Sequence, residues 1–269
     1  MIARIWRLAS LMLAGSMVLV GCSLFGTREP EHQRWGGLVS DLRARWSAEP
    51  GIDLRIGVAV PVRAYLESFQ LAQLTGSADD FYPGFTRAVP PNEPDGPDPS
   101  ARDRRPGLKH PIRSAVVGNI RFHITSVQRA GGNVAVTVCY YNYGAAEQQG
   151  DGAYASLVAG QPAPNRGMFA IRVTLIGPPD ESASALPPQT GPAAAPGNDV
   201  FGDWQVIGYL TSSSSSSRAQ WPTYEADKAT CVEKAPDPFD RRAFLLTGEH
   251  PRSEFPTSPP SPGWPEGVS

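Results

Sequence analysis

Four polar residues are the candidates for chemistry in this sequence. They lie in stretches where apolar and polar residues alternate, on the parity opposite to the apolar set: His123, Tyr141, Arg172 and Tyr209. Histidine can move protons near neutral pH, a tyrosine hydroxyl can donate a hydrogen bond, and arginine can bind an anion. We expect these side chains to line one candidate pocket. The alternative is that they form the solvated outer face of a sheet.

No established catalytic motif accompanies these residues. The sequence contains no Gly-x-Ser-x-Gly, phosphate-binding loop or His-Glu-x-x-His motif. The cysteines and the four histidines show no metal-ligand spacing, so we expect no metal and no cofactor. The formal net charge is −2, without a block of like charges, which argues against nucleic-acid binding. We therefore expect a protein that is not an enzyme.

The N-terminus has the zones of an export signal. Arg4 and Arg7 supply positive charge, residues 8–20 are almost all apolar, and small residues precede Cys22. The apolar stretch is shorter than the roughly 20 residues that a membrane span needs.

Leu19-Val20-Gly21-Cys22 resembles the lipobox of bacterial lipoproteins. The resemblance implies that residues 1–21 are a signal peptide, that Cys22 is acylated, and that residues 22–33 form a tether. Two or three acyl chains suffice for stable anchoring. We therefore expect a lipid anchor in the cell membrane, with the protein facing the extracytoplasmic side. An ordinary signal peptide with a chance cysteine is the alternative.

Cys139 and Cys231 remain once the lipid is assigned to Cys22. An even number of cysteines in an oxidising compartment predicts that they form a disulfide. The alternative is two separate buried thiols.

The elements that must position these residues begin with helices. Apolar residues recur at helical spacing over residues 34–49 and 61–75, and residues 77–85 fit a short third helix. The Pro-rich residues 88–111 are predicted to be a long loop.

Strands follow this helical part. Period-two alternation predicts a hairpin over residues 120–143, with its turn at Gly131-Gly132-Asn133. Similar alternation predicts strands at 169–175 and 204–210, and residues 228–234 are predicted to be a short edge strand.

This order of elements resembles the NTF2-like (cystatin-like α+β cone) domains of exported actinobacterial proteins. The resemblance rests on Tyr65-Leu66-Glu67-Ser68-Phe69, on strand residues 133–139 and on Asp203-Trp204-Gln205-Val206. It implies an α+β domain over residues 34–235, with two or three N-terminal helices packed on a curved antiparallel sheet of four to five strands. Loops 88–111 and 177–199 depart from a compact unit of that family. A β-sandwich is the structural alternative.

NTF2-like domains commonly hold a pocket between sheet and helices, which implies a site without assigning its chemistry. We expect the domain to bind a partner protein or an apolar envelope ligand. One alternative is a hydrolase or isomerase-like pocket enzyme that uses His123. Another is an accessory subunit of an envelope transport or secretion complex. Residues 236–269 are predicted to be a Pro/Ser-rich C-terminal tail, in which 239–246 are apolar enough to dock and 250–269 are disordered.

Overall fold

One sheet, built around a long central strand, positions most of the candidate residues. The computed structural model describes residues 33–160, 165–178 and 186–266. Within these ranges the strands are β1 (Asp41–Ala48), β2 (Val116–Ala130), β3 (Asn133–Tyr141), β4 (Ala145–Gln148), β5 (Tyr154–Ser156), β6 (Met168–Ile176) and β7 (Gln205–Thr211). The predicted signal peptide, Cys22 and almost all of the tether lie outside the described residues. None of the described helices has both the length and the apolar character needed to cross a bilayer.

The pairing of the strands is antiparallel except at one edge of β2. There, β1 runs parallel to β2. The same β2 residues also pair with β3 and β4, which therefore lie on the opposite edge. β6 and β7 continue the sheet beyond β3, and β5 pairs with β4. The predicted hairpin is confirmed as β2 and β3, with Gly131 and Gly132 at positive φ in the turn.

A β-bulge decides which side chains of β7 face which side of the sheet. Thr174 of β6 pairs with Gly208 of β7. The next residue of β6, Leu175, pairs with Val206, so β7 holds one extra residue here. An extra residue shifts the alternation by one position. Tyr209 consequently joins the core beneath the first helix.

The helices cover both faces of the sheet. Their bounds are α1 (Ala59–Thr75), the one-turn α2 (Phe85–Ala88), α3 (Tyr224–Glu233) and α4 (Phe239–Leu245). Every residue of α1 from Ala59 to Ala72 is buried, including Arg63 and Glu67. A helix enclosed on all sides needs cover beyond the sheet. Loop and C-terminal residues, among them Val89, Phe201 and Trp264, supply that cover in the same core cluster.

The N-terminal residues correct one prediction. Residues 34–49 were expected to be helical, but residues 41–48 form β1. The apolar residues Leu42, Ala44 and Trp46 also fit a period of two, and they face the core in alternation. Pairing with β2, where Trp46 stacks on Phe122 at a centroid distance of 4.4 Å, selects the strand. The fold is thus α+β, with one long N-terminal helix and a larger sheet than predicted.

The structure of the C-terminal residues corrects two more predictions. Residues 228–234 were expected to be an edge strand, but 228–233 belong to α3 and Lys234 is its C-cap. Residues 250–266, expected to be disordered, are packed against the domain, and so is the segment 239–246 that was expected to dock. Phe255 and Trp264 are almost completely buried, and Ser261 bridges to Arg45 of β1. The burial of these two aromatic side chains offsets the conformational entropy that the segment loses when it is ordered. That loss is small because the prolines already restrict the chain.

Candidate functional site

A pocket of 420 Å³ opens between α1 and the sheet. The helix contributes Phe69, Gln70 and Gln73, which share one face because they are spaced by three and four positions. The sheet contributes Tyr140 of β3, Phe169 and Ile171 of β6, and Tyr209 and Thr211 of β7. The loops contribute Asp103, Arg105, Gly107, Asn142, Ser213 and Ser214.

Two pairs of aromatic side chains line this pocket. Phe69 and Tyr209 stack with their ring centroids 5.0 Å apart. Tyr140 and Phe169 are paired across β3 and β6, with centroids 6.1 Å apart. Along β6, the partner of Tyr209 is Val173, four residues beyond Phe169. The backbone positions that carry the two ring pairs are therefore about 13 Å apart along the strand.

The polar groups of the pocket floor are neutral. The Tyr140 hydroxyl donates a hydrogen bond of 2.8 Å to Gln70 Oε1. Burial raises the pKa of Tyr140 and of Tyr209 well above the usual range. Both phenols therefore keep their protons at physiological pH and serve as neutral donors and acceptors.

Charge is confined to the loop side. The Arg105 guanidinium is already hydrogen-bonded within the protein: it donates to the carbonyls of Val89 and Thr86, each at 2.9 Å. Asp103 is exposed, and no hydrogen bond or ion pair to its carboxylate is found within the described part of the chain. The pocket thus offers a carboxylate to a ligand, whereas its one guanidinium is already engaged.

A second polar cluster surrounds Glu67, which does not line the pocket. Its Oε1 accepts a hydrogen bond of 2.7 Å from Trp46 Nε1. Its Oε2 accepts from the Tyr82 hydroxyl at 2.9 Å and from Trp264 Nε1 at 2.7 Å. The Tyr82 hydroxyl in turn accepts from Trp35 Nε1 at 2.7 Å. Burial raises the pKa of Glu67, while Arg63 and the three donors oppose this shift.

Arg63 lies one turn before Glu67 and holds the C-terminal segment. Its guanidinium donates to the carbonyls of Pro262 and Gly263, at 2.6 and 3.1 Å. It also lies over the Trp264 ring, with Cζ 4.2 Å from the ring centroid. Arg63 and Glu67 together connect β1, α1 and the chain end, which is a structural role.

His123 forms a third cluster, on the far side of the sheet from α1. Its Nδ1 lies 2.9 Å from Ser47 Oγ, and its Nε2 lies 2.8 Å from Glu49 Oε1. Lys234 Nζ also contacts Glu49 Oε1, at 2.6 Å. The Lys234 hydrogen bond, followed by that of His123, lowers the pKa of Glu49. The arrangement is a serine–histidine–carboxylate chain with a lysine on the carboxylate.

The four predicted site residues do not converge. Tyr141 is buried beneath α3, where its hydroxyl donates to the carbonyl of Cys231 at 2.9 Å. Arg172 is on the same face of the sheet as Tyr141, in register with Thr137. Tyr209 reaches the pocket because the bulge on β7 turns it to the opposite face. Neither one shared site nor a wholly solvated face describes these residues.

The cysteine pair is placed as the sequence predicts. The Sγ atoms of Cys139 and Cys231 are 2.00 Å apart and connect β3 to α3. Both residues belong to the apolar cluster on the sheet face opposite α1, so they hold the C-terminal helices against that face.

The sequence analysis did not single out the buried charged residues of α1 or the residues by which α1 lines the pocket. Arg63 and Glu67 are charged residues one turn apart inside an apolar helix, a pattern that indicates paired burial. The pocket residues Gln70 and Gln73 carried no comparable signal, because their role depends on which strands face α1. Within the described ranges, no group of three or more acidic, histidine or cysteine side chains is arranged to hold a metal ion.

Comparison with models of protein families, with curated proteins and with solved structures finds no match for this chain. The geometry alone therefore supports any function assigned to the pocket.

Proposed function

We propose that this protein is an exported, lipid-anchored binding protein that takes a small amphipathic ligand into the pocket beside α1. The observation that carries the proposal is the pocket itself, 420 Å³ in volume and lined by aromatic rings and neutral polar groups. Ligand sites are typically concave and apolar, with a few placed polar groups. The lipobox-like sequence ending at Cys22 supplies the anchor, and the cysteine pair supports an oxidising compartment.

The pocket favours an amphipathic ligand over a wholly apolar one. The Tyr140 hydroxyl, the Gln70 amide and the Asn142 amide all line it. An entirely apolar ligand would displace water from these groups without replacing its hydrogen bonds, which opposes binding. This refines the expectation of an apolar envelope ligand.

An NTF2-like cone remains our proposal for the fold family. The packing of α1 on the sheet with a pocket between them supports it. The parallel strand β1 and the helices α3 and α4 on the other face are departures from the expected pattern.

The test compares two tryptophan variants in the same serine-rich segment. Ser213 lines the pocket, whereas the exposed Ser215 does not. The mature protein, purified from its own envelope without delipidating steps, is measured by native mass spectrometry. We expect a retained small molecule in the wild type and in Ser215→Trp, and its loss in Ser213→Trp. Equal retention in both variants, or a clean apo mass for all three proteins, contradicts the proposal.

The anchor is tested separately. We expect Cys22→Ala to release the protein from the membrane or to leave its precursor uncut. A variant that remains membrane-bound and correctly processed would remove the lipid anchor from the proposal. Crosslinking in intact cells tests the alternative of an accessory subunit, which predicts recovery of a discrete partner protein.

The cluster around His123 supports a second candidate, a hydrolytic activity with Ser47 as the nucleophile. The hydrogen-bonded order Ser47, His123, Glu49 favours it. We place it second because the cluster does not line the pocket and because Lys234 shares the carboxylate. A fluorophosphonate probe tests it: labelling that disappears in Ser47→Ala, with folding intact, would establish the nucleophile. An unlabelled wild type would end this candidate.

A further inference from the structure

We infer that the pocket recognises a neutral saccharide of about two linked rings, either free or as the headgroup of a glycolipid. This inference rests on the proposed function and specifies its ligand class. It follows from three features of the pocket: the aromatic pairs, the neutral polar groups that line it with them, and the charge at its loop side.

The aromatic pairs match the two-sided chemistry of a sugar ring. A pyranose carries axial C–H groups that form an apolar face, and such a face packs against an aromatic ring. Phe69 and Tyr209 supply one platform. Phe169, which is half-buried and stacks on Tyr140, supplies the other. Two aromatic pairs whose strand positions lie four residues apart along β6 suit two linked rings better than one.

The polar groups that line the pocket with these platforms match hydroxyls. A hydroxyl donates one hydrogen bond and accepts two, so it is best bound by groups that themselves do both. The side chains of Gln70, Gln73, Thr211 and Ser213 are of this kind and line the pocket. Because Tyr140 donates to Gln70 Oε1, the Gln70 amide retains its N–H donors and the Tyr140 oxygen remains an acceptor.

Asn142 adds an acceptor that the protein itself does not use. Its Oδ1 is buried and has no hydrogen-bond partner within the described part of the chain. This oxygen lies beside Gly167, so the amide must turn for it to meet a ligand hydroxyl. A buried unpaired acceptor is unfavourable, so a ligand that satisfies it gains binding energy.

The charges at the loop side argue against an anionic ligand. Arg105 is engaged with two backbone carbonyls, and the free charged group is the Asp103 carboxylate. A fatty acid or a phosphate would therefore face repulsion without a compensating cation. A carboxylate binds sugar hydroxyls strongly, because hydrogen bonds to an ionised acceptor are about twice as strong as neutral ones.

Calorimetry on the mature protein tests this inference with probes that separate the sources. Glucose and maltose represent the free sugar, and octyl glucoside and dodecyl maltoside, below their micelle concentrations, represent a glycolipid headgroup. Choline and decanoate represent a cation in an aromatic cage and an apolar anion. Heat measured with Ser213→Trp is subtracted as binding outside the pocket.

We expect maltose or its alkyl glycoside to bind, and glucose to bind more weakly. Tighter binding of dodecyl maltoside than of maltose indicates a glycolipid source, and equal binding a free sugar. Asp103→Asn should weaken sugar binding by about tenfold, since it removes the charge from one hydrogen bond. Asp95→Asn, an exposed change in the same loop outside the pocket, should leave it unchanged.

The inference is overturned if no sugar probe binds, or if Asp103→Asn and Asp95→Asn behave alike. Binding of choline that Asp103→Asn abolishes would reassign the pocket to a cationic ligand, and binding of decanoate alone to an apolar one. In both cases the proposed binding function survives. If native mass spectrometry finds no retained ligand and no probe binds in calorimetry, both the saccharide inference and the proposed binding function are wrong.

Discussion

Replacing Glu67 by glutamine gives the sharpest test of how the buried cluster works. The carboxylate accepts three hydrogen bonds, from Trp46, Tyr82 and Trp264. A glutamine has one acceptor oxygen, which can serve Tyr82 and Trp264 if it takes the place of Oε2. Its NH₂ group then faces Trp46 Nε1, and that N–H is left without an acceptor.

The size of the effect follows from this geometry. The unsatisfied Trp46 N–H alone costs about 1–3 kcal/mol of the free energy of unfolding, and the new NH₂ group that faces it adds to this loss. For a domain of this size, that corresponds to about 2–4 °C in Tm per kcal/mol. The assay is urea denaturation followed by tryptophan fluorescence, because Trp46 and Trp264 contact the substituted side chain. Glu249→Gln, an exposed change, is the matched control and should be neutral.

The pH dependence tests the electrostatics of the same site. Burial raises the pKa of folded Glu67 above its ordinary value of 4.5, so the folded state binds this proton more tightly than the unfolded state. The stability contributed by protonated Glu67 is therefore fully present below pH 4.5 and is lost as the pH rises through the folded pKa. The glutamine side chain of the variant does not titrate. The advantage of the wild type over Glu67→Gln should thus shrink by about 1.4 kcal/mol for each unit of pKa elevation.

A wild-type advantage that grows above pH 4.5 would refute this reasoning. It would mean that Arg63 and the three donors outweigh burial and hold the carboxyl pKa below 4.5. No measurable difference at any pH would instead refute the structural role of the cluster.

Three further changes have outcomes set by single contacts. Replacing Cys139 and Cys231 together by Ser should lower the free energy of unfolding by about 2–5 kcal/mol, because the pair closes a separation of 92 residues. Trp264→Phe keeps the ring over Arg63 but removes the donor to Glu67, so denaturation should show a loss of about 1–3 kcal/mol. Gly118→Ala should lower Tm strongly, because φ is +96° and its Cβ would lie 2.3 Å from the carbonyl oxygen of residue 144.

Each of these has an outcome that contradicts it. Reduction of the wild type should lower its stability as much as the double serine substitution does. A wild type whose stability does not change with reductant would argue against the disulfide. A proteolysis pattern for Trp264→Phe identical to that of the wild type would argue against an anchored chain end. Gly131→Ala, in the hairpin turn with positive φ and no neighbour within 4 Å, is the control for Gly118→Ala. Equal losses for the two would show that strain alone matters.

The local patterns were sufficient where both periodicity and turn residues were unambiguous. The hairpin of β2 and β3 follows from alternating apolar residues around Gly131-Gly132. Helix α1 ends at Gly76, which has φ of 70° and donates its N–H to the carbonyl of Ala72. The pairing of Cys139 with Cys231 follows from their number once one cysteine is assigned to the lipid.

The failures occurred where a pattern fitted two structures. The spacing of Leu42 and Trp46 suits a helix and a strand alike, and the neighbouring strand β2 decides between them. The Pro-rich C-terminal residues look disordered until Trp264 is placed on Arg63 and Glu67, nearly two hundred residues earlier in the chain.

The amino-acid sequence by itself determined the α+β class, the central hairpin, the long helix and the cysteine pair, because these depend on contacts between near neighbours or on residue counts. The tertiary structure decided the pocket. One extra residue in β7 turns Tyr209 toward α1, and the pairing of β3 with β6 sets Phe169 beside Tyr140. A β-strand alternates its faces with every residue, so a bulge invisible in the sequence determines which side chains meet.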